Sequence, residues 1–264
     1  MNLMDTGIAE SETIEDLGRG GFSLIQKKTG FRYGEDTVFL SFFAAQTMGR
    51  KRRRQKAAEL GANCGAASIL LAARRDDVSI DGIEIQTEAS RIFAKNILLN
   101  HLEGRLSAIS MDLRDLEKQK SDIGKASYDL VFFNPPYHVP GRGPLTNREK
   151  ESTELLEARF EVNGTFGDFA RAAEWLLLPQ GKAVLVQRVS RLPEVLYFLE
   201  KYRIEPMRLR FIHTRPEKPA TLFMLSGQKN GKPGGFQVMP PLIIYNEDHT
   251  YTDEMKSIYS DEAK

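Results

Sequence analysis

From Ala57 onward, short apolar runs alternate with longer stretches of helical spacing, and few folds accept that order. Residues 57–60, 79–85, 106–111, 128–133 and 183–187 read as strands. Residues 66–75, 87–100, 166–178 and 193–202 read as helices. Strands joined through helices of about ten residues or more need crossover connections, so they lie parallel with helices on both faces. Two further strands, 207–213 and 221–226, are joined by a short Pro-containing loop with no helix, which suits an antiparallel pair. The expected fold is therefore α/β: a mainly parallel, seven-stranded sheet with one antiparallel strand near its end.

Ahead of this core, residues 22–26 and 31–33 read as a hairpin turning at Lys27-Lys28-Thr29-Gly30. A helix over 37–46 follows, with Asp36 as its cap. The expected organisation is a flexible segment at 1–13, a hairpin and helix packed on the core at 14–50, the core at 51–228, and an extension with a short helix at 229–264. With 264 residues, 41% of them hydrophobic, the chain can bury one large core. Its single cysteine, Cys64, rules out a disulfide within the chain and a zinc cluster built on cysteine. No apolar run approaches the ~18 residues of a membrane helix. The acidic opening MNLMDTGIAESETIEDL is unlike a secretory signal, so a cytoplasmic location with no membrane partner is expected. Net charge is only +1, so any affinity for nucleic acid must come from local basic clusters.

Glu59-Leu60-Gly61-Ala62-Asn63-Cys64-Gly65 lies between the first core strand and its helix. Glycines there allow a tight turn and let a ligand approach the backbone. Ligands of open parallel sheets bind beyond the carboxyl ends of the strands. Glu84 ends the next strand, where a carboxylate accepts both hydroxyls of a ribose. Asp112 ends the third, placed for the amino group of an adenine. Together these suggest an adenosine-bearing cofactor. The loop lacks a full G-x-G-x-x-G, and Glu59 would set a carboxylate near a pyrophosphate, which disfavours NAD. S-adenosylmethionine, with its sulfonium and ammonium, suits Glu59.

The fourth strand runs into FFNPPY, Phe132 to Tyr137. An exocyclic amino group is a poor nucleophile, because its lone pair is delocalised into the ring. Two acceptors holding both its N–H groups favour a more tetrahedral nitrogen. The Asn134 side-chain oxygen and the Pro135 carbonyl are such a pair. Pro135 and Pro136 lack N–H groups and stiffen the turn. Tyr137 offers a flat face to a base swung out of its stack. This chemistry needs positioning for in-line attack, with neither a metal nor a general base of unusual pKa.

NPPY after the fourth strand, with the ELGANCG loop before it, resembles the Rossmann-like class I S-adenosylmethionine-dependent amino-methyltransferases. GEDTVFLSFFA, YDLVFFNPPYH and LIIYNEDHTYTDEMKSIY are similar, more closely, to the bacterial tRNA(Val) adenine-37 N6-methyltransferases, over about residues 21–259. The resemblance implies that Asn134, Pro135, Pro136 and Tyr137 hold the target adenine of a tRNA. It implies that Glu59, Gly61 and Gly65 bind the methionine part of the cofactor, Glu84 its ribose and Asp112 its adenine. Asn63 departs from the glycine usual in the family, and tolerates left-handed backbone better than most residues. The motif is specific to amino-group methylation rather than to RNA. Methylation of a protein glutamine amide, or RNA binding with a lapsed cofactor site, are the alternatives it leaves.

Arg50-Lys51-Arg52-Arg53-Arg54 is the most basic run, but it precedes the first core strand and so lies at the wrong end of the sheet for the chemistry. Better candidates for RNA contact are the loop after the motif, with His138, Arg142, Arg148, Lys150 and Arg159, and the turn carrying Arg215 and Lys218. Arg208 and Arg210 precede that turn on one face of their strand.

Overall fold

A computed structural model describes residues 8–29, 32–118, 123–137 and 164–259. The first core strand, β3 (Gln55–Leu60), leads through α2 (Ala66–Arg74) to β4 (Val78–Glu84), and α3 (Thr87–Leu99) leads on to β5 (Leu106–Ser110). β6 (Tyr128–Phe133) lies on the other side of β3. The described chain resumes with α4 (Phe166–Leu176), β7 (Leu177–Arg188), α5 (Leu192–Lys201), β8 (Ile204–His213) and β9 (Leu222–Lys229). The strand order is β8-β9-β7-β6-β3-β4-β5, with β9 antiparallel to both neighbours and the rest parallel. The seven long strands are those expected. Two short strands, β10 (Gln237–Val238) and β11 (Leu242–Ile243), lengthen the β8 edge, and α6 (Asp253–Tyr259) closes the described chain.

β6 is buried at every position because it lies mid-sheet, between β3 and β7. Its side chains alternate between faces, as strand geometry requires. Leu130 and Phe132 join one core beneath α1 (Glu35–Thr47), α2 and α3, while Val131 and Phe133 join a second beneath α4 and α5. Both layers of helix are therefore satisfied by one continuous apolar run.

Two local expectations differ. The N-terminal hairpin pairs β1 (Glu12–Asp16) with β2 (Ser23–Lys27), so the partner of β2 comes before it; of the strand expected at 31–33, Arg32 and Tyr33 are in no strand and Phe31 lies outside the described residues. β1 is polar in sequence, yet Glu12 is buried against Lys95 at 2.8 Å. The helix expected to reach residue 178 ends at Leu176, and β7 begins at once. Pro179-Gln180-Gly181 forms an irregularity inside that strand: Gln180 takes φ 64°, and the register with β6 shifts between Tyr128 and Leu130.

The hairpin is seated by two side-chain amides of α3. Asn96 accepts from Ile25 N–H (2.6 Å) and donates to the Ile25 carbonyl (2.8 Å) and the Cys64 carbonyl (2.9 Å). Asn100 repeats the exchange with Ser23, at 2.8 Å each way. The basic run meets the amino end of β6: Arg53 grips Asp129 through both carboxylate oxygens (2.8 and 2.7 Å), and Lys51 adds a third contact at 2.6 Å.

Candidate functional site

Successive strand ends line one cavity. Leu60 pairs with Ile83 on one side and with Phe133 on the other, so Gly61, Glu84 and Asn134 emerge together at the carboxyl edge. The cavity is lined by Glu59, Gly61, Asn63, Glu84 and Asn134, with Ile83, Ile85, Leu113 and Phe169 among its apolar walls.

The loop after β3 turns through three left-handed residues, Gly61 (φ 69°), Asn63 (φ 48°) and Gly65 (φ 83°). Asn63 suits its place, since its Oδ1 accepts from Cys64 N–H at 2.7 Å and closes a local turn. Gly65 starts α2, and any Cβ there would lie 1.9 Å from the Phe93 ring. Its glycine is demanded by packing as well as by conformation. At Gly61 a Cβ would lie 3.4 Å from Phe169.

Glu59 is buried, with Oε2 accepting from Ser68 N–H (2.9 Å) and Ser68 Oγ (2.5 Å) in the first turn of α2. Burial pushes its carboxyl up to about 8, against the pull of the Ser68 bonds. A carboxyl so placed favours a cationic ligand, which would restore its charge. Burial also raises Glu84, whose oxygens accept from Gln86 N–H and Asn63 N–H at 2.8 Å each. Cys64 is buried and pushed up to about 12, so it is an inert filler and no nucleophile.

Asp112 follows β5 as expected but does not line the cavity. Arg114 takes both its oxygens through Nε and Nη2, at 2.6–3.0 Å, and holds its carboxyl below the usual range. The side chain two residues on competes for the position that strand order alone gave to a ligand.

At the motif, Asn134 Nδ2 donates to Asp36 Oδ2 at 3.0 Å, and Tyr137 OH donates to the same oxygen at 2.5 Å. Burial, then Asp36, raises the Tyr137 phenol well above its ordinary value. Asn134 Oδ1 is buried and has no hydrogen-bond partner among the described residues. Behind the motif, Arg191 Nη1 donates to the Pro136 carbonyl at 2.8 Å, whereas among the described residues the Pro135 carbonyl has only a long contact of 3.4 Å from Gln187. The Arg188 guanidinium lies 5.4 Å from the Tyr137 ring centroid. Of the four motif residues expected from the sequence, Asn134 and Pro136 line the cavity and Tyr137 lies against Asp36; Gln187, Arg188 and Arg191 were not singled out by the sequence. The only signal for Asp36 was the acid in GEDT, read as the cap of a helix over 37–46, and that reading is corrected: the helix begins at Glu35 with Gly34 as its cap, so Asp36 lies in the first turn. Its Oδ1 accepts from Thr37 N–H at 2.9 Å, and its other oxygen is left for the motif.

The candidate RNA residues separate. Arg142 and Arg148, with His138, Lys150 and Arg159, lie outside the described residues. Arg210 is corrected: it is buried, bound to Glu254 through two contacts of 2.7 Å and to the Pro240 carbonyl at 2.9 Å. It fastens the C-terminal extension to β8. Arg208 is exposed, opposite Gln237 within β8 rather than at its carboxyl end. Arg215 and Lys218 follow β8, which runs parallel to the core, so their turn is at the same edge as Asn134. Three strand spacings, about 14 Å, separate β8 from β6. Arg215 and Lys218 share a second concavity with Tyr245 and His249, and Arg215 contacts His249 at 2.5 Å.

Among the described residues no group of three or more His, Cys, Asp or Glu is placed to hold a metal. None of their helices is long and apolar enough to cross a membrane.

Residues 38–151 match the methyltransferase small domain family. The chain is similar to proteins named tRNA1(Val) (adenine(37)-N6)-methyltransferase. That of Porphyromonas gingivalis is 28% identical over 202 residues, 75% of this chain and 74% of the relative. That of Pectobacterium carotovorum is 24% identical over 253 residues, 93% of this chain and 94% of the relative. Among solved structures, a protein of Agrobacterium tumefaciens described as a predicted O-methyltransferase superposes with TM-score 0.64 at 20% identity, over 87% of this chain and 99% of its own. The TYW2 protein of P. horikoshii, in complex with MeSAdo, gives 0.55 at 14% identity, over 84% and 73%. These likenesses show a class I methyltransferase fold.

Proposed function

We propose that this chain, similar over most of its length to the bacterial tRNA1(Val) (adenine(37)-N6)-methyltransferases, is an S-adenosylmethionine-dependent methyltransferase acting on the N6 amino group of an adenine in RNA. Position 37 of tRNA(Val) is the nucleotide those relatives' names indicate. The observation that carries the reading is Asn134 Oδ1, unpartnered among the described residues, in the wall of the cavity that Glu59 and Glu84 also line.

The cavity fits the cofactor. Bound there, S-adenosylmethionine supplies an electrophilic methyl group. Glu59 lies where it would face the cationic methionine portion, and Glu84 where it would take the ribose hydroxyls. The apolar side chains Ile85 and Leu113 flank the place of the adenine. Asp112 would contribute only by releasing Arg114.

On the substrate side, Asn134 Oδ1 and the Pro135 carbonyl would accept the two N–H bonds of the amino group. Neither is saturated by a short bond among the described residues. Holding both hydrogens turns the nitrogen lone pair out of conjugation and toward the methyl group. Pro136 is fixed by Arg191, so the turn does not yield as the base is seated. Tyr137 would support the base by its ring face, with Arg188 on hand for the ring or a phosphate. The surplus proton on nitrogen becomes strongly acidic once the methyl is attached and is lost to solvent. Arg215 and Lys218 would meet flanking RNA.

The test is transfer of labelled methyl from S-adenosylmethionine to unmodified tRNA, followed by nucleoside separation. We expect label in N6-methyladenosine and a loss of at least about 100-fold in Asn134→Ala, the scale of removing one group that acts on the reacting centre. Label in added protein rather than RNA would redirect the assignment to a glutamine amide.

A further inference from the structure

Asp36 decides which way the Asn134 amide points, and we propose that it thereby selects an amino group over a carbonyl on the base to be methylated. The proposal rests on the methyl-transfer reading above and adds a positioning residue to it. Asp36 comes from the first turn of α1, 98 residues before the motif. Its Oδ1 takes Thr37 N–H, and its Oδ2 takes both Asn134 Nδ2 and the Tyr137 hydroxyl.

An ionised carboxylate accepts and never donates. A reversed Asn134 amide would set its oxygen against Asp36, so the nitrogen is held there and Oδ1 is left over. That atom is buried and unpartnered among the described residues. The atom offered to a base is thus an acceptor only, and the base must bring a donor. Adenine does so with its 6-amino group. Hypoxanthine has nearly the same shape, but its 6-oxygen would face Oδ1 across a buried gap. Such a mismatch weakens binding by about tenfold or more.

Replacing Asp36 by asparagine keeps the shape and removes the polarity. A carboxamide there can donate or accept, so the Asn134 amide can reverse and offer its N–H to an oxo group. The experiment measures binding of an anticodon stem-loop carrying adenosine or inosine at the target position, with S-adenosylhomocysteine present. The native protein is expected to prefer adenosine by about tenfold. Asp36→Asn should bring the two affinities within about twofold while S-adenosylhomocysteine affinity stays unchanged. The exchange variant Asp36→Asn/Asn134→Asp should recover the preference, since the pair is then restored in reverse and only an oxygen faces the base. Undiminished preference in Asp36→Asn overturns the proposal. If that variant does not fold, the exchange variant decides, and one that discriminates no better than twofold overturns it.

A native protein that binds neither stem-loop would defeat the methyl-transfer reading and leave the orientation to be judged alone. There the side-chain ¹⁵N–¹H signals of Asn134, identified by their loss in Asn134→Asp, give the answer. Signals that shift or double in Asp36→Asn support a held amide. Signals that do not change overturn it.

Discussion

Burial raises the Glu59 carboxyl at the end of a central strand, and its titration makes a direct prediction. Its ordinary carboxyl value of 4.5 is raised to about 8 by burial. Between those values the folded protein keeps a proton that the unfolded chain gives up, so this group's contribution to stability falls as pH rises from about 4.5 to about 8. A cationic ligand favours the ionised form and expels the proton. S-adenosylmethionine affinity should therefore rise between about pH 6 and pH 8, with a binding heat that varies with the ionisation enthalpy of the buffer. Glu59→Gln should abolish both effects, and a native affinity flat across that range would place the cationic part of the ligand elsewhere. The positions of Glu59, Glu84 and Asn134 were legible in the sequence, because strand ends fall at one edge once the strands are parallel. The Asp112 pairing was not, since a local Arg114 contact outweighs topology there. Asp36 was illegible for the opposite reason: it meets Asn134 across 98 residues, and no local pattern records such a contact.

Among the elements, the N-terminal hairpin depends on α3 in an unusual way. Asn96 and Asn100 present an acceptor and a donor to β2, as a neighbouring strand would. Asn96 also holds the Cys64 carbonyl of the cavity loop, so hairpin and loop share one anchor. Asn96→Leu would leave an N–H and two carbonyls unmatched in a buried place, costing about 2–4 kcal/mol. Hydrogen exchange should show the Ile25 amide losing protection, and calorimetry should show weaker binding of S-adenosylmethionine. Exchange unchanged at Ile25 would mean that the hairpin is held by its apolar side chains alone. Long apolar strands and amphipathic helices were readable because burial imposes their period. β1 was not, because its polar sequence hides a strand whose one buried acid is matched by Lys95 on α3. Nor was the early start of β7, where Pro179-Gln180-Gly181 looked like a terminator yet is absorbed as a register shift.

Across the whole molecule, charge is nearly balanced, and several cations that look available to RNA are committed to the fold. Arg53 and Lys51 hold Asp129 below the ordinary carboxylate range in spite of its burial, and Arg210 holds Glu254. Arg210→Met should cost about 1–2 kcal/mol, mostly by leaving the Pro240 carbonyl without its partner, since the half-exposed Glu254 is taken up by solvent. Measured below its melting range, that variant should bind RNA with the native salt dependence. Arg215→Ala and Lys218→Ala should instead keep the native melting temperature and each lower the salt slope by about one. If Arg210→Met alone flattened the slope, the basic contacts would have to be redrawn around β8. The order of the sheet has a further consequence for how the chain is made. β9 lies between β7 and β8 yet is translated after both. As the polypeptide leaves the ribosome, β7 and β8 must wait with facing edges open until residues 222–229 arrive to fill the gap. The sheet is finished from within, and the last long strand synthesised is the one that closes it.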